Sequence, residues 1–423
     1  MVYRVCADLL QSAAYKEKAM KLSKNISAAI LAGIVFLLPG CAPHSEDTLD
    51  ENSEITREAR TASSDEEELC SAALEAGSLC EDIASEALKN GTADTLKARE
   101  AVVSCLGQNG FCAADTENQI NMVNSDPMEA FCQAAGNGES GQADVILVMD
   151  AGSFVYYRFR TQDGAVDVQR CTFSQDTDPK VGYYEAFTAE DWSFTQRGYF
   201  FFSQYRMPGF DGPPRETGIR IIPLSRDCRE LTRKYAAPVG YSLNNMLITD
   251  WSEADGYGAL NFYDMYDIMY EMKYGTVPPY PYTYTGSEYE IPEQEFEDVL
   301  QTYLYAGPDT IRAKTVYHAD SGTYQYRPRG LDDAEGLYGP YPEVTSWEEQ
   351  PDGTLKLTVA AVWITEFDDQ AITSELVVRP LEDGGFQYVS NHVIETKEGI
   401  SGKWHSPRLT EEEWNRIYGL PSS

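Results

Sequence analysis

The sequence predicts an α+β protein, and three observations predict it. Apolar residues recur at three- and four-residue spacing between positions 69 and 135. From about Gln142 to Leu224 the pattern switches to period two, and four more alternating segments follow between Glu343 and Ile394. Helices gathered beside antiparallel strands, rather than interleaved one for one, are the mark of this class. The expected order is a small N-terminal helical module, antiparallel sheets with flanking helices, and a C-terminal antiparallel β-meander.

Within 69–88, Leu69, Ala72, Ala73, Ala76, Leu79, Cys80, Ile83, Ala84, Ala87 and Leu88 predict one amphipathic helix, with Lys89 in its last turn and Gly91 as the stop. A second helix is expected from Asp94 to Leu106, capped by Thr92 or Asp94 and stopped at Gly107. A third, Met128 to Ala135, has Asp126 as cap and Pro127 at its first position. Strands are expected at Val145–Val148, Phe154–Phe159, Val166–Phe173, Tyr183–Phe194, Tyr199–Tyr205 and Ile219–Leu224, separated by turns such as Gln162-Asp163-Gly164 and Gln196-Arg197-Gly198. Ser225 caps a helix over Arg226–Tyr235. Tyr, Phe and Met at near-helical spacing fill 259–275, ending at Gly275. Val277 to Thr285, rich in Pro and Tyr, reads as an extended loop or edge. Pro292 opens a helix carrying Phe296, Val299, Leu300 and Leu304. Turn signals at Pro351-Asp352-Gly353, Asp368-Asp369 and Glu382 to Gly385 divide the meander into four strands. Thr410 and Glu413 form a capping box for a closing helix.

The chain holds 33 Lys+Arg against 68 Asp+Glu, a net charge of −35. Five of the basic residues (Arg4, Lys16, Lys18, Lys21, Lys24) and two of the acidic ones (Asp8, Glu17) fall in 1–40, leaving 28 against 66, or −38, beyond it. Such a chain repels phosphate backbones, which excludes nucleic acid as a partner. Nine cysteines include Cys6 and Cys41; the other seven cannot all pair within one chain. On a single helix, Cys70 and Cys80 would stand about 15 Å apart, beyond the roughly 7 Å a disulfide spans. With no CxxC and only four scattered histidines, neither a metal site nor any cofactor is expected.

Ile26 to Leu38 is uncharged and mostly apolar, shorter than the about 20 residues of a membrane span, and Lys21 and Lys24 precede it. That is the make-up of a secretory signal. It closes on Leu38-Pro39-Gly40-Cys41, which resembles the lipobox of bacterial lipoproteins, with Pro39 where Ala or Ser is usual. The resemblance implies cleavage before Cys41, lipid on that cysteine, and attachment to the outer face of the bacterial cytoplasmic membrane. Met20 is the expected start of the signal. The domain expectation is therefore a signal peptide over 1–40, an acidic tether over 41–68, a helical module over 69–140, a β-rich domain over 141–255 and an α+β domain over 256–423. The tether is dense in Ser, Thr, Asp and Glu and has little to bury.

Four strings carry a second likeness: Asn244 to Glu253, Phe262 to Asp267, Arg379 to Asn391, and Trp404 to Trp414. They resemble uncharacterised lipoproteins of Gram-positive bacteria that carry a domain of unknown function, from about residue 92 onward. The likeness implies a shared fold and the same address, and transfers no activity.

No motif names a reaction. Asp176-Thr177-Asp178-Pro179-Lys180-Val181-Gly182 is a poor calcium loop, because Lys180 takes a ligand position and the glycine comes late; an acidic turn is the simpler reading. Tyrosine is the unusual feature, at 28 residues. Tyr280, Tyr282 and Tyr284 would share one face of an extended segment, and with Trp251 they are the candidate face for stacking on wall glycan or peptide. Half-buried packing is the plainer use of the same residues. A non-catalytic surface binding or assembly module is the first expectation. A cell-envelope hydrolase acting on glycan or peptide, and a structural partner of a membrane complex, are the alternatives.

Overall fold

A computed structural model of the chain describes residues 64–175, 179–209, 214–335, 338–396 and 399–419. Cys41, the signal segment, the tether as far as residue 63, and Asp176–Asp178 of the acidic turn lie outside them. The N-terminal helices are α1 (Ser64–Leu79), α2 (Glu81–Asn90), α3 (Leu96–Gln108) and α4 (Asp126–Asn137). The single helix expected over 69–88 is thus two, and α1 begins five residues earlier, inside the stretch assigned to the tether. Two tertiary contacts flank the break at Cys80. The ring of Phe173 packs where Gly77 lacks a β carbon, and the Cys105 thiol takes up the Leu79 carbonyl at 3.3 Å. Thr95, not Thr92 or Asp94, caps α3 by accepting from the Ala98 N–H.

These helices flank a five-stranded sheet ordered β1-β2-β3-β4-β5: Ala113–Asp115, Gly141–Asp150, Ser153–Gln162, Ala165–Ser174 and Lys180–Thr188. Only β1 runs parallel to its neighbour. Both faces of the sheet are covered. Ile146, Val148, Phe154 and Phe173 pack on Leu69, Ala73 and Val103 of α1 and α3. Val145, Leu147 and Phe159 face Met128 and Phe131 of α4. Burial on both sides explains the unbroken Val145-Ile146-Leu147-Val148 run.

The stretch expected as one strand over Tyr183–Phe194 is β5 plus β6 (Asp191–Phe194), in different sheets. The turn at Ala189 and Glu190 lets β6 pair with β7 (Tyr199–Ser203), which in turn pairs with β8 (Glu216–Arg220). All five residues of β7 are buried. Phe200 and Phe202 join the α4 core, while Tyr199 and Phe201 pack with Val362.

α5 (Arg226–Leu231) continues into a short π-helical turn, Thr232–Ala236. The C-terminal core lies between α6 (Phe262–Tyr274), α7 (Glu293–Tyr303) and the sheet β13-β14-β15-β16-β9: Tyr341–Glu349, Leu355–Val362, Ile372–Pro380, Phe386–Thr396 and Trp251–Ser252. Its first four strands are the expected antiparallel meander. A small sheet with no clear sequence signal joins β10 (Tyr289–Pro292) and β11 (Tyr317–His318) to β12 (Thr323–Tyr326). α8 (Pro308–Ala313) and α9 (Glu411–Tyr418) complete the fold, the latter with its capping box formed. From Glu68 onward the described residues cohere as one compact unit. Among the described residues no helix is long and apolar enough to cross a membrane.

A buried polar joint ties the two core regions together. Glu343 of β13 is 2 % exposed. It accepts from Arg220 at 2.6 Å, Tyr199 at 3.0 Å and Arg229 at 3.2 Å. Asn118, on the loop after β1, donates to the Gly218 carbonyl and to the Tyr341 hydroxyl. Burial pushes the Glu343 carboxyl up, against the pull of both guanidiniums. A short way off, Asp115 is fully buried and accepts the N–H groups of Gln119 and Ile120. Burial raises it to about 6, with the Ile120 N–H and then Arg99 opposing.

Candidate functional site

The site is built on the first turn of α6. Asn261 caps that helix by accepting from the N–H groups of Tyr263 and Asp264, and the turn sets Asp264 and Asp267 three residues apart on one face. Asp264 is 2 % exposed. Arg329 grips it bidentately, Nε to Oδ1 and Nη2 to Oδ2, both at 2.9 Å. Arg408 donates to the same Oδ1 at 2.9 Å and to Asp267 at 2.5 Å. Tyr326 donates to Asp267 at 2.6 Å. Burial pushes the Asp267 carboxyl up, with Arg408 and the Tyr326 hydroxyl opposing. Charge-assisted bonds of this kind hold three distant segments, α6, 327–333 and the approach to α9, in one rigid frame.

Over that frame opens a cleft of about 520 Å³. Tyr263, Tyr282, Trp414 and Tyr418 supply aromatic surface, and Lys314, Arg327 and Asp333 supply polar groups. The Arg327 guanidinium lies 4.3 Å above the Trp414 ring and is turned by Glu288 at 2.8 Å. Asp333 accepts the Gly330 N–H at 2.7 Å, which fixes the 327–333 loop. Two glycines make the aromatic wall possible. A β carbon on Gly330 would collide with the Tyr282 ring, and Gly286, at φ +80°, lies against Tyr418 and Trp414. Lys314 donates to the Gly258 carbonyl at 2.5 Å, and burial lowers its ammonium below the usual lysine range.

The candidate aromatic face divides into three environments. Tyr280 donates to Glu295 at 3.0 Å, and its ring packs on Tyr289 and Tyr326, so it belongs to the edge of the core. Tyr282 lines the cleft, its hydroxyl 3.3 Å from that of Tyr418. Tyr284, at a turn, is 83 % exposed. The Tyr284 ring still meets the Tyr282 ring edge-on, at 5.9 Å between centroids, so it is Tyr280 that is drawn away from the other two. Trp251 lies inside the core, 4 % exposed, stacked on Tyr257 and donating to the Met246 carbonyl at 2.8 Å. The groups that do converge on the cleft come from 263, 282, 314, 327–333 and 408–418. Asp264 and Asp267 lie in the stretch Phe262 to Asp267, and Arg408 and Trp414 in Trp404 to Trp414, but no spacing rule joins the two.

Three of the histidines meet carboxylates: His318 with Glu290 at 3.1 Å, His392 with Asp250 at 3.2 Å and His405 with Glu335 at 2.8 Å. None of these pairs lines the cleft. Among the described residues, no group of three or more His, Cys, Asp or Glu is placed to hold a metal ion. The side chains on the cleft wall offer rings for stacking and polar groups for hydrogen bonding.

No curated protein and no solved structure matches the chain. A family model does match, over residues 66–408. The match takes in α1 and α2, ahead of residue 92, and stops short of α9 with its Trp414 and Tyr418. The chain therefore belongs to DUF6070, a family of unknown function.

Proposed function

We propose that this protein is an extracytoplasmic lipoprotein, held by lipid on Cys41, whose cleft binds a segment of wall polymer without transforming it. The observation that carries the reading is the lining of the cleft: four aromatic side chains beside a lysine, two arginines and two carboxylates. Sugar rings offer an apolar face and a hydroxylated rim, and tyrosine and tryptophan combine apolar area with a polar handle in the same way. Glycan is therefore favoured over peptide. The frame of Asp264, Asp267, Arg329 and Arg408 supports it from beneath, so the site is preorganised and little entropy is lost on binding. The address rests on Leu38 to Cys41, and the acidic tether would hold the binding unit clear of the bilayer.

Two experiments test the two halves of the proposal. Retention on purified wall glycan should fall more than tenfold in a Tyr282→Ala/Trp414→Ala variant that still shows the wild-type near-ultraviolet spectrum. Undiminished retention by that folded variant removes the cleft from consideration, and retention on peptide stems alone would reverse the preference for glycan. For the address, Cys41→Ser should leave the chain uncleaved or released from membranes. A Cys41→Ser chain processed and membrane-bound like the wild type refutes the lipid anchor.

A further inference from the structure

Seven cysteines fall within the described residues. They are not evenly dispersed. At the break between α1 and α2, the Cys80 sulfur lies 2.8 Å from that of Cys105 on α3. That is less than 1 Å beyond the roughly 2.05 Å of a covalent S–S bond. The two residues are 25 positions apart in sequence, so the contact is made by the tertiary fold and not by a shared turn. Their accessibility differs. Cys80 is 4 % exposed, whereas Cys105 is only partly buried. We propose that Cys80 and Cys105 form a disulfide that staples the broken helix α1–α2 to α3.

The difference in exposure gives the order of the chemistry. The Cys105 thiolate attacks a small disulfide oxidant, such as oxidised glutathione, forming a mixed disulfide and releasing one thiol. The Cys80 thiolate then attacks the Cys105 sulfur, forming the internal S–S bond and releasing the second thiol. Two electrons pass to the oxidant, and the two protons from the cysteines end on its two thiols. Burial, together with the neighbouring Cys105, pushes the Cys80 thiol well above its ordinary range, so the second step is the slow one.

The other cysteines compete poorly for these two sulfurs. Cys171 has Cys70 beside it, which adds to the effect of burial in raising its thiol to about 12. Cys132 interacts with Cys112, and Cys228 is buried in the C-terminal core. The bond would close a loop between positions 80 and 105 and so restrict the unfolded chain.

The test uses the whole mature chain, incubated with oxidised glutathione, alkylated at acidic pH and digested without reduction. Cleavage after Glu75, Lys89 and Phe111 puts Cys80 and Cys105 on separate peptides, free of Cys70 and Cys112. The expected product is a peptide pair joined through Cys80 and Cys105. The oxidised wild type should also melt roughly 5 °C above a Cys80→Ala/Cys105→Ala variant. A map with both residues alkylated, or with Cys105 joined to any other cysteine, overturns the proposal, as does an oxidised protein that melts no higher than the variant. The map is made on the wild type, so it stands even if the variant fails to fold. Because the oxidant is supplied in the tube, the result is independent of the address at Cys41.

Discussion

The joint around Glu343 and the frame around Asp264 use the same chemistry for different ends. In each, a carboxylate 2 % exposed meets two guanidiniums and tyrosine hydroxyls lie close by. At Glu343 the surrounding groups are themselves sealed: Arg220, Arg229 and Tyr199 are all buried, and the network joins one core to the next. At Asp264 the network is closed below and open above, where Tyr263, Arg327 and Arg408 border the cleft. What separates the two is access. Ion pairs alone do not mark a binding site, and the frame becomes a candidate because it stabilises a surface that a ligand can reach.

Four measurements test that contrast. The largest effect is expected at Glu343→Ala, which strands two buried guanidiniums and should cost about 3–5 kcal/mol in urea unfolding. A loss below about 1 kcal/mol would mean that the joint is wet and the comparison fails. Next comes Asp115. Its folded value of about 6 lies above the roughly 3.9 of an unfolded chain, so the folded state binds the extra proton. The stability linked to that proton is fully present below about pH 4 and is lost as pH rises through 6, a change of about 3 kcal/mol. Comparison of the wild type with Asp115→Asn across pH 4–7 should isolate it, and parallel stability curves would count against a buried, protonatable Asp115. Third, Tyr280→Ala should cost about 2 kcal/mol, because its ring packs on the core edge and its hydroxyl is bonded to Glu295. Smallest is Tyr284→Ala, on a ring 83 % exposed, which should stay within about 0.5 kcal/mol. Equal losses at Tyr280 and Tyr284 would restore the single shared face expected from their spacing.

The strands and helices were readable where one periodicity persisted. The meander between Tyr341 and Thr396 and the capping box at Thr410 follow from local signals alone. The break at Cys80 was not readable, because the ring that takes the place of a side chain at Gly77 belongs to Phe173, almost a hundred residues away. The division of Tyr183–Phe194 between two sheets likewise depends on which partner each half finds. For the site, the tyrosine-rich stretch drew attention to Tyr282, which lines the cleft. Its partners Arg327, Asp333, Arg408 and Trp414 were not legible, since they meet only after three separate segments have been drawn together. Trp251 stood out by residue type, which does not distinguish a ring offered to solvent from one stacked inside.

The short strand Tyr199–Ser203 sets a limit on how the protein can be cut. With Phe200 and Phe202 pressed into one core and Tyr199 and Phe201 into another, it is a party wall that serves both rooms. A fragment ending near residue 255 would keep the wall but lose what leans on its far side: Val362, Phe367 and the carboxylate of Glu343. Tyr199, Phe201 and two arginines would then face water with nothing to meet them. A fragment beginning after residue 255 would have a carboxylate with no cation and a hollow where the wall stood. A protein engineer seeking a minimal binding unit should therefore shorten the chain only from its ends, and should expect calorimetry of the whole to give a single transition.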